Sequence, residues 1–200
     1  MGKVNDRMGK EKTSISLFSG AMGLDLGLEQ AGLKAVACVE IDKDAVATIK
    51  QNRPNIPVFD KSVQEVTAEE LRQTSSLGTS NLDLLAGGPP CQSFSVFGRR
   101  KGIQDLRGQM IFEFVRLVDE LRPHVFLMEN VRGLLSSPVV AKKDFDSRTM
   151  DPWVKEKGSL LKLLLEKFND IGYRVDCFVV NAVVISHRNK AGLLRMRKKS

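Results

Sequence analysis

The stretch SISLFSGAMGLDLGLEQAGLKAVACVEID, residues 14–42, decides the fold. Its apolar runs at residues 15–18 and 35–39 predict two strands, because compact apolar runs bounded by turn residues suit central positions in a sheet. The segment between them, residues 24–31, has a helical pattern that ends at Gly32. A strand, a helix and a strand in this order predict parallel neighbouring strands joined by a right-handed crossover.

The same alternation continues along the chain. Further strands are predicted at residues 56–59, 82–86, 125–128 and 175–180. Helices are predicted at residues 42–52 and 160–168. Another is predicted by an apolar stripe at helical spacing, formed by Ile111, Phe114, Val115, Val118 and Leu121. The predicted fold is therefore α/β with a doubly wound, mostly parallel sheet, in which ligands bind beyond the carboxyl ends of the strands.

Composition limits the class of protein. The 200 residues are 42% hydrophobic, which suits one soluble domain. The net charge of +7 favours a polyanionic partner such as nucleic acid, although much of the excess is terminal and equally suits solvated tails. The sequence has no apolar run of membrane-spanning length and no signal peptide. Its three cysteines lie far apart and show no paired ligand spacing with histidine, so we expect a cytoplasmic protein without disulfides or a metal site.

A glycine loop and an acidic residue point to an adenosine-bearing ligand. Gly20 and Gly23 let the backbone turn sharply between the first strand and the first helix. Glu40 comes 20 residues after Gly20, close to the interval at which an acidic residue binds ribose hydroxyls in nucleotide folds. The loop lacks the full G-x-G-x-x-G pattern, so a simple glycine turn and a solvated glutamate remain open. Asp60 comes directly after the third strand. It is either a second ligand-binding carboxylate at this edge of the sheet, which could accept a hydrogen bond from the adenine amine, or a helix-capping or turn residue.

One cysteine lies where a buried filler residue is not expected. Cys91 follows Gly88 and two prolines, which make this segment a stiff, extended arm at the carboxyl end of the fourth strand. Glu129 follows the fifth strand, where apolar neighbours raise a carboxyl pKa and let the group carry a proton near neutral pH. A thiol and a protonated carboxyl in one cleft suit attack on an aromatic ring. The alternative for Cys91 is a small buried side chain of the core, and the alternatives for Glu129 are a helix cap and a surface ion pair.

Five segments together resemble a known family. In order and spacing they are similar to the successive motifs of DNA (cytosine-5) methyltransferases, and they are FSGAMGL, VEID, Asp60, GGPPCQSFSVFGRRKGIQDLRGQM and MENVRGLL. The resemblance covers residues 13–182. It implies a Rossmann-like, S-adenosylmethionine-dependent methyltransferase fold, with S-adenosyl-L-methionine as cofactor and DNA as partner.

The resemblance also implies roles for individual residues. Those implied to bind the cofactor are Phe18, Ser19, Gly20, Gly23, Leu24, Glu40, Ile41 and Asp60. Cys91 is implied to be the nucleophile that adds to carbon 6 of cytosine, and Glu129 the donor of a proton to N3. The residues implied to contact DNA are Gln92, Ser93, Ser95 and Arg107.

The carboxyl-terminal sequence departs from the family. The family continues after the sixth strand with a Gln-x-Arg-x-Arg motif, whereas this chain has NAVVISHRNKAGLLRMRKKS from Asn181 onward. We therefore expect a flexible basic amino terminus (1–12), an incomplete catalytic domain (13–182) truncated before the last strand of the sheet, and a divergent basic tail (183–200). A target recognition domain is not expected in this chain.

Three functions fit these patterns. The first is a bacterial restriction-modification-type cytosine-5 DNA methyltransferase, which would act only if a second, complementing polypeptide that carries the recognition domain supplies the missing parts. The second is a non-catalytic fragment that at most binds S-adenosylmethionine. The third, a nicotinamide-dependent oxidoreductase on a similar fold, explains the glycine loop and Glu40 but leaves Cys91 and Glu129 without a role.

Overall fold

The computed structural model describes residues 11–90, 106–140, 146–181 and 190–198. The strands in these ranges are β1 (Lys12–Leu17), β2 (Leu33–Val39), β3 (Val58–Phe59), β4 (Leu84–Gly87), β5 (Val125–Val131), β6 (Tyr173–Asn181) and β7 (Lys190–Lys198). The helices are α1 (Gly23–Gln30), α2 (Lys43–Asn52), α3 (Ala68–Thr74), α4 (Leu106–Leu121) and α5 (Ser159–Asp170). None of these helices is both long and apolar enough to cross a membrane.

The strands form one sheet in the order β3-β2-β1-β4-β5-β7-β6. The neighbouring pairs among β1 to β5 are all parallel. The chain moves outward from β1 to β3, returns to β4 on the other side of β1, and then moves outward again. This confirms the predicted doubly wound, mostly parallel α/β fold. The carboxyl ends of β1 and β4 lie side by side where the order reverses, which is the usual ligand position in such sheets.

The last strand corrects one expectation. Lys190–Lys198 forms β7, which pairs antiparallel with both β5 and β6. The expectation that the sheet is truncated before its last strand is therefore wrong. The basic residues of this segment suggested a tail, but strand pairing is made by main-chain groups, and β7 pairs those of β5 on one side and those of β6 on the other.

The core is centred on the ring of Phe126 in β5. Phe114 of α4, Phe168 of α5 and Tyr173 of β6 have ring centroids 5.8, 4.4 and 5.3 Å from it. All four side chains are buried. The Tyr173 hydroxyl donates a 2.7 Å hydrogen bond to the Pro123 carbonyl, and burial raises the pKa of this phenol to about 12. The cluster ties α4 and α5 to the middle of the sheet.

Gly87 lets the backbone at the end of β4 approach its neighbours closely. A Cβ atom at this position would lie 2.7 Å from the Leu17 carbonyl oxygen of β1 and 3.1 Å from Phe114 Cε2 of α4. The first contact is with main chain, which cannot move without shifting β1. There is consequently no room for a side chain at this point of the sheet.

Gly87→Ala is expected to destabilise the protein by about 1–3 kcal/mol, because overpacking here displaces a paired strand. Urea unfolding followed by circular dichroism measures the change. The matched control is Gly27→Ala in α1, where an added Cβ meets nothing within 4 Å and alanine favours the helix. An unfolding midpoint for Gly87→Ala equal to that of the wild type would contradict this account.

Candidate active site

A cleft of about 590 Å³ opens beyond the carboxyl ends of the parallel strands. This volume is in the range that holds a small ligand or cofactor. Its lining residues come from the ends of four strands, from the short 3₁₀ helix Val63–Glu65 that follows β3, and from α4. They are Phe18, Val39, Glu40, Ile41, Asp42, Lys61, Ser62, Val63, Gln64, Pro90 and Met110. Phe18, Glu40 and Ile41 were predicted from the sequence, and the structure brings these three together.

The Glu40 carboxylate connects two loops of the cleft. Its Oε2 accepts a 2.6 Å hydrogen bond from the backbone N–H of Gly20, and its Oε1 accepts bonds of 2.8 Å each from Ile41 and Asp42. Glu40 is only 9% exposed. The alternative of a solvated glutamate therefore does not hold. A carboxylate has about four acceptor positions, so one on Oε2 remains for a hydroxyl of a ligand.

In the glycine loop between β1 and α1, residues other than glycine also adopt left-handed backbone conformations. Phe18, Gly20 and Met22 have φ values of 54°, 53° and 65°, in the left-handed region. Such values are uncommon for residues with side chains and occur often at functional sites. The Ser19 hydroxyl lies 3.2 Å from the Val39 carbonyl oxygen, to which it donates, and so ties the loop to β2. The conformation of a tight ligand-binding turn is reached without the full glycine pattern.

Five of the predicted cofactor residues are not among those that line the cleft, and they are Ser19, Gly20, Gly23, Leu24 and Asp60. Ser19 and Gly20 belong to the glycine loop. Gly23 and Leu24 form the first turn of α1. The Asp60 carboxylate lies 3.6 Å from Lys50 Nζ, in an ion pair whose two side chains are about half exposed. The residues that follow it, Lys61 and Ser62, line the cleft instead. They could have been found from the sequence, since they extend the same strand end that singled out Asp60.

Glu129 lies near the carboxyl end of β5, inside the strand and not after it as predicted. Its side chain is partly buried, and this burial raises the pKa of the carboxyl above the ordinary glutamate value. The direction agrees with the sequence prediction. Among the described residues, no group donates a hydrogen bond to this carboxyl. Desolvation alone therefore favours its protonated form.

Asn130 fixes the proline arm, which is the segment of residues 88–90 after β4, against β5. The sequence did not predict this role. Asn130 is 3% exposed, and its Nδ2 donates a 3.1 Å hydrogen bond to the Pro89 carbonyl. Its Oδ1 accepts a 2.9 Å bond from the backbone N–H of Val131. The arm therefore reaches Pro90, in the lining of the cleft, from a fixed origin. The only sequence signal was the position of Asn130 beside Glu129 at a strand end.

The predicted nucleophile and most of the predicted DNA contacts lie outside the described residues. These are Cys91, Gln92, Ser93 and Ser95. Arg107 belongs to the first turn of α4. The two described cysteines are elsewhere in the sheet, Cys38 buried and Cys177 exposed. Burial raises the pKa of Cys38 to about 11, which makes it a poor nucleophile.

Comparison with known proteins identifies the family. The sequence model of the C-5 cytosine-specific DNA methylases matches residues 12–186. The type II methyltransferase M.AquIA of Picosynechococcus is 41% identical over 126 residues, which are 63% of this chain and 51% of that protein. M.XorII, a type II methyltransferase of Xanthomonas oryzae, is 39% identical over 189 residues, or 92% of this chain and 40% of that protein.

A solved structure agrees with these relatives. It is a prophage-encoded protein of Escherichia coli described as a DNA modification methyltransferase, with a TM-score of 0.71 and 27% identity over 94% of this chain and 47% of that one. The chain spans about half or less of the length of the proteins it matches. The family match nevertheless includes β1 to β6 and the cleft. The chain therefore belongs to the family of C-5 cytosine-specific DNA methylases.

Proposed function

We propose that this chain carries the catalytic centre of a bacterial type II restriction-modification-type enzyme, which transfers a methyl group from S-adenosyl-L-methionine to carbon 5 of cytosine in duplex DNA. One observation carries the proposal. Pro90 lines the same cleft as Glu40 and Ile41, and Cys91 is the residue that follows Pro90 in the sequence. Because its substrate is genomic DNA, the protein works in the cytoplasm.

The cleft residues fit S-adenosyl-L-methionine. The free acceptor position on Glu40 Oε2 suits a ribose hydroxyl. Ile41 is 66% exposed at the cleft, where a flat adenine ring would cover it. The further residues assigned to the cofactor are Phe18, Ser19, Gly20, Gly23, Leu24 and Asp60. Asp60 is assigned to the adenine amino group, and its exposed ion pair with Lys50 contributes less than about 1 kcal/mol, so it does not hold the carboxylate in place.

Cys91 and Glu129 perform the chemistry that this chain supplies. Carbon 5 of cytosine is a weak nucleophile within an aromatic ring. The Cys91 thiolate adds to carbon 6 while Glu129 gives its proton to N3, which places the electron density at carbon 5. When bound, S-adenosyl-L-methionine supplies an electrophilic methyl group for that carbon. Loss of the carbon 5 proton then expels the sulfur. Burial raises the pKa of Glu129, which favours the protonated form that this step requires.

DNA contacts hold the target base outside the duplex. The base must leave the stack to reach Cys91, at a cost of a few kcal/mol. Gln92, Ser93, Ser95 and Arg107 contact the backbone near the flipped nucleotide in this proposal, and the net charge of +7 attracts the duplex. Such contacts position the enzyme and do not select a sequence.

A second observation favours a partner polypeptide. The chain spans 51% of M.AquIA and 40% of M.XorII. At the sheet edge, Phe178 and Val179 of β6 are 51% and 56% exposed, which is unusual for large apolar side chains of a strand. We propose that a complementing polypeptide with the remaining parts of the enzyme covers this edge. The alternative is a fragment that binds S-adenosylmethionine without catalysis.

Duplex DNA with 5-fluorocytosine at the target position tests the catalytic proposal. Fluorine cannot leave as a cation, so the wild-type chain with S-adenosylmethionine is expected to form a covalent adduct that survives a denaturing gel. Cys91→Ala is expected to form none, whereas Cys177→Ser, at an exposed thiol of β6, should retain it. An adduct that persists in Cys91→Ala would contradict the assigned nucleophile.

Glu40→Gln is expected to weaken S-adenosylmethionine binding about tenfold or more. The amide replaces an oxygen that accepts buried backbone N–H groups, and such a loss costs about 1–3 kcal/mol. Isothermal titration calorimetry measures the affinity, with Glu69→Gln on the exposed face of α3 as the matched control. Equal affinities for Glu40→Gln and the wild type would argue against a cofactor at this cleft.

Complementation tests the partner proposal. Addition of the part of M.XorII that this chain does not match is expected to raise the rate of adduct formation. Phe178→Ser should reduce this gain, and Leu26→Ser should not, because Leu26 is 49% exposed but lies on α1. If the added polypeptide leaves the rate unchanged, the β6 edge is not the docking surface.

A further inference from the structure

We infer that Gly88 is a positioning residue for the Glu129 carboxyl, because the absence of a side chain at Gly88 leaves the space in which that carboxyl lies. The inference rests on the proposed function, in which Glu129 is the proton donor. It assigns separate roles to the two glycines of the GGPPC segment. Gly87 allows close packing of β4 against β1, and Gly88 leaves space for the Glu129 carboxyl.

The neighbours of the two glycines differ in kind. A Cβ atom on Gly88 would lie 3.1 Å from Glu129 Oε2 and 3.9 Å from the Glu129 carbonyl oxygen. Apart from the chain neighbours of Gly88, no other heavy atom of the described residues comes within 4 Å of this Cβ position. The corresponding neighbour of Gly87 is a main-chain oxygen of Leu17 at 2.7 Å. The space beside Gly88 is therefore filled by the reacting group itself.

The strand register explains this neighbourhood. β4 and β5 are parallel, and Gly87 pairs with Met128. Continued by one residue, this register sets Gly88 beside Glu129. The backbone of Gly88 has no positive φ. A residue before proline is confined to extended conformations that alanine also adopts. Glycine is consequently needed here for side-chain space and not for backbone freedom.

A methyl group at Gly88 would displace the carboxyl and not the arm. The arm is held by the hydrogen bond from Asn130 to the Pro89 carbonyl, and Pro89 is buried. The Glu129 carboxyl is the free end of a flexible side chain, with no hydrogen bond from any described residue to retain it. A C···O approach of 3.1 Å is therefore relieved by rotation of the carboxyl away from the arm, towards solvent.

Carboxyl NMR on the whole chain tests the contact without any need for activity. With ¹³C-labelled glutamate, the Glu129 resonance is assigned by its loss in Glu129→Gln, and its titration is compared in the wild type, Gly88→Ala and Gly27→Ala. We expect the Glu129 pKa to fall in Gly88→Ala, because the carboxyl gains solvent, and to remain unchanged in Gly27→Ala. A Glu129 pKa in Gly88→Ala equal to or above the wild-type value would overturn the inference.

A double-mutant cycle on adduct formation with 5-fluorocytosine DNA tests the catalytic consequence, with the complementing polypeptide present. Gly88→Ala is expected to slow the reaction on the order of tenfold to a hundredfold, within the range that a general acid contributes, with S-adenosylmethionine affinity unchanged. In a Glu129→Ala background it should have no further effect, because its target is gone. An equal loss in both backgrounds would mean a structural role only.

The two measurements separate this inference from the proposed function. If wild-type protein forms no adduct while Gly88→Ala still lowers the Glu129 pKa, the contact is real and the proposed chemistry fails. If wild-type protein is active and Gly88→Ala matches it in rate, the positioning role fails and the proposed function stands.

Discussion

The absence of side chains at the end of β4 is the constraint on which the candidate site depends. At Gly87 the main chains of β1 and β4 and the ring of Phe114 approach too closely for even a methyl group. This contact fixes where β4 ends relative to β1. The proline arm starts one residue later, so the packing of β4 against β1 also fixes the position at which the arm begins. Two prolines then limit the directions in which the arm continues to Cys91.

β5 stabilises the arm on its other side. Asn130 is buried and bonds the Pro89 carbonyl, while Glu129, its neighbour in the strand, lies against Gly88. Successive residues of a strand point to opposite faces. One residue of the pair therefore anchors the arm, and the other occupies the space beside it. A displacement of β5 would move the proline arm and the Glu129 carboxyl together, which preserves their relative geometry.

The sequence predicted the order of the elements better than their ends. Apolar runs located the central strands, but β5 continues through Glu129 and Asn130 to Val131, because these three residues pair antiparallel with β7. Helix α3 was missed because it has only seven residues, although Thr67 and Glu70 form a capping box that signals its start. β7 was missed because basic residues suggested a tail. The contact between Gly88 and Glu129 depends on strand register, which no local pattern records.

Glu40 follows β2 and Glu129 lies near the carboxyl end of β5, two strands that β1 and β4 separate in the sheet, and the surroundings of the two carboxyls suit opposite tasks. Three backbone N–H groups point at Glu40, so its oxygens act only as acceptors, and a hydroxyl is the natural fourth partner. Glu129 receives no hydrogen bond from the described residues and is desolvated, which raises its pKa and favours a proton on the carboxyl. In the proposed function, a single residue type thus supplies an acceptor for a sugar hydroxyl and a proton donor for a ring nitrogen. The difference arises from the loop amides at one strand end and from the lack of them at the other.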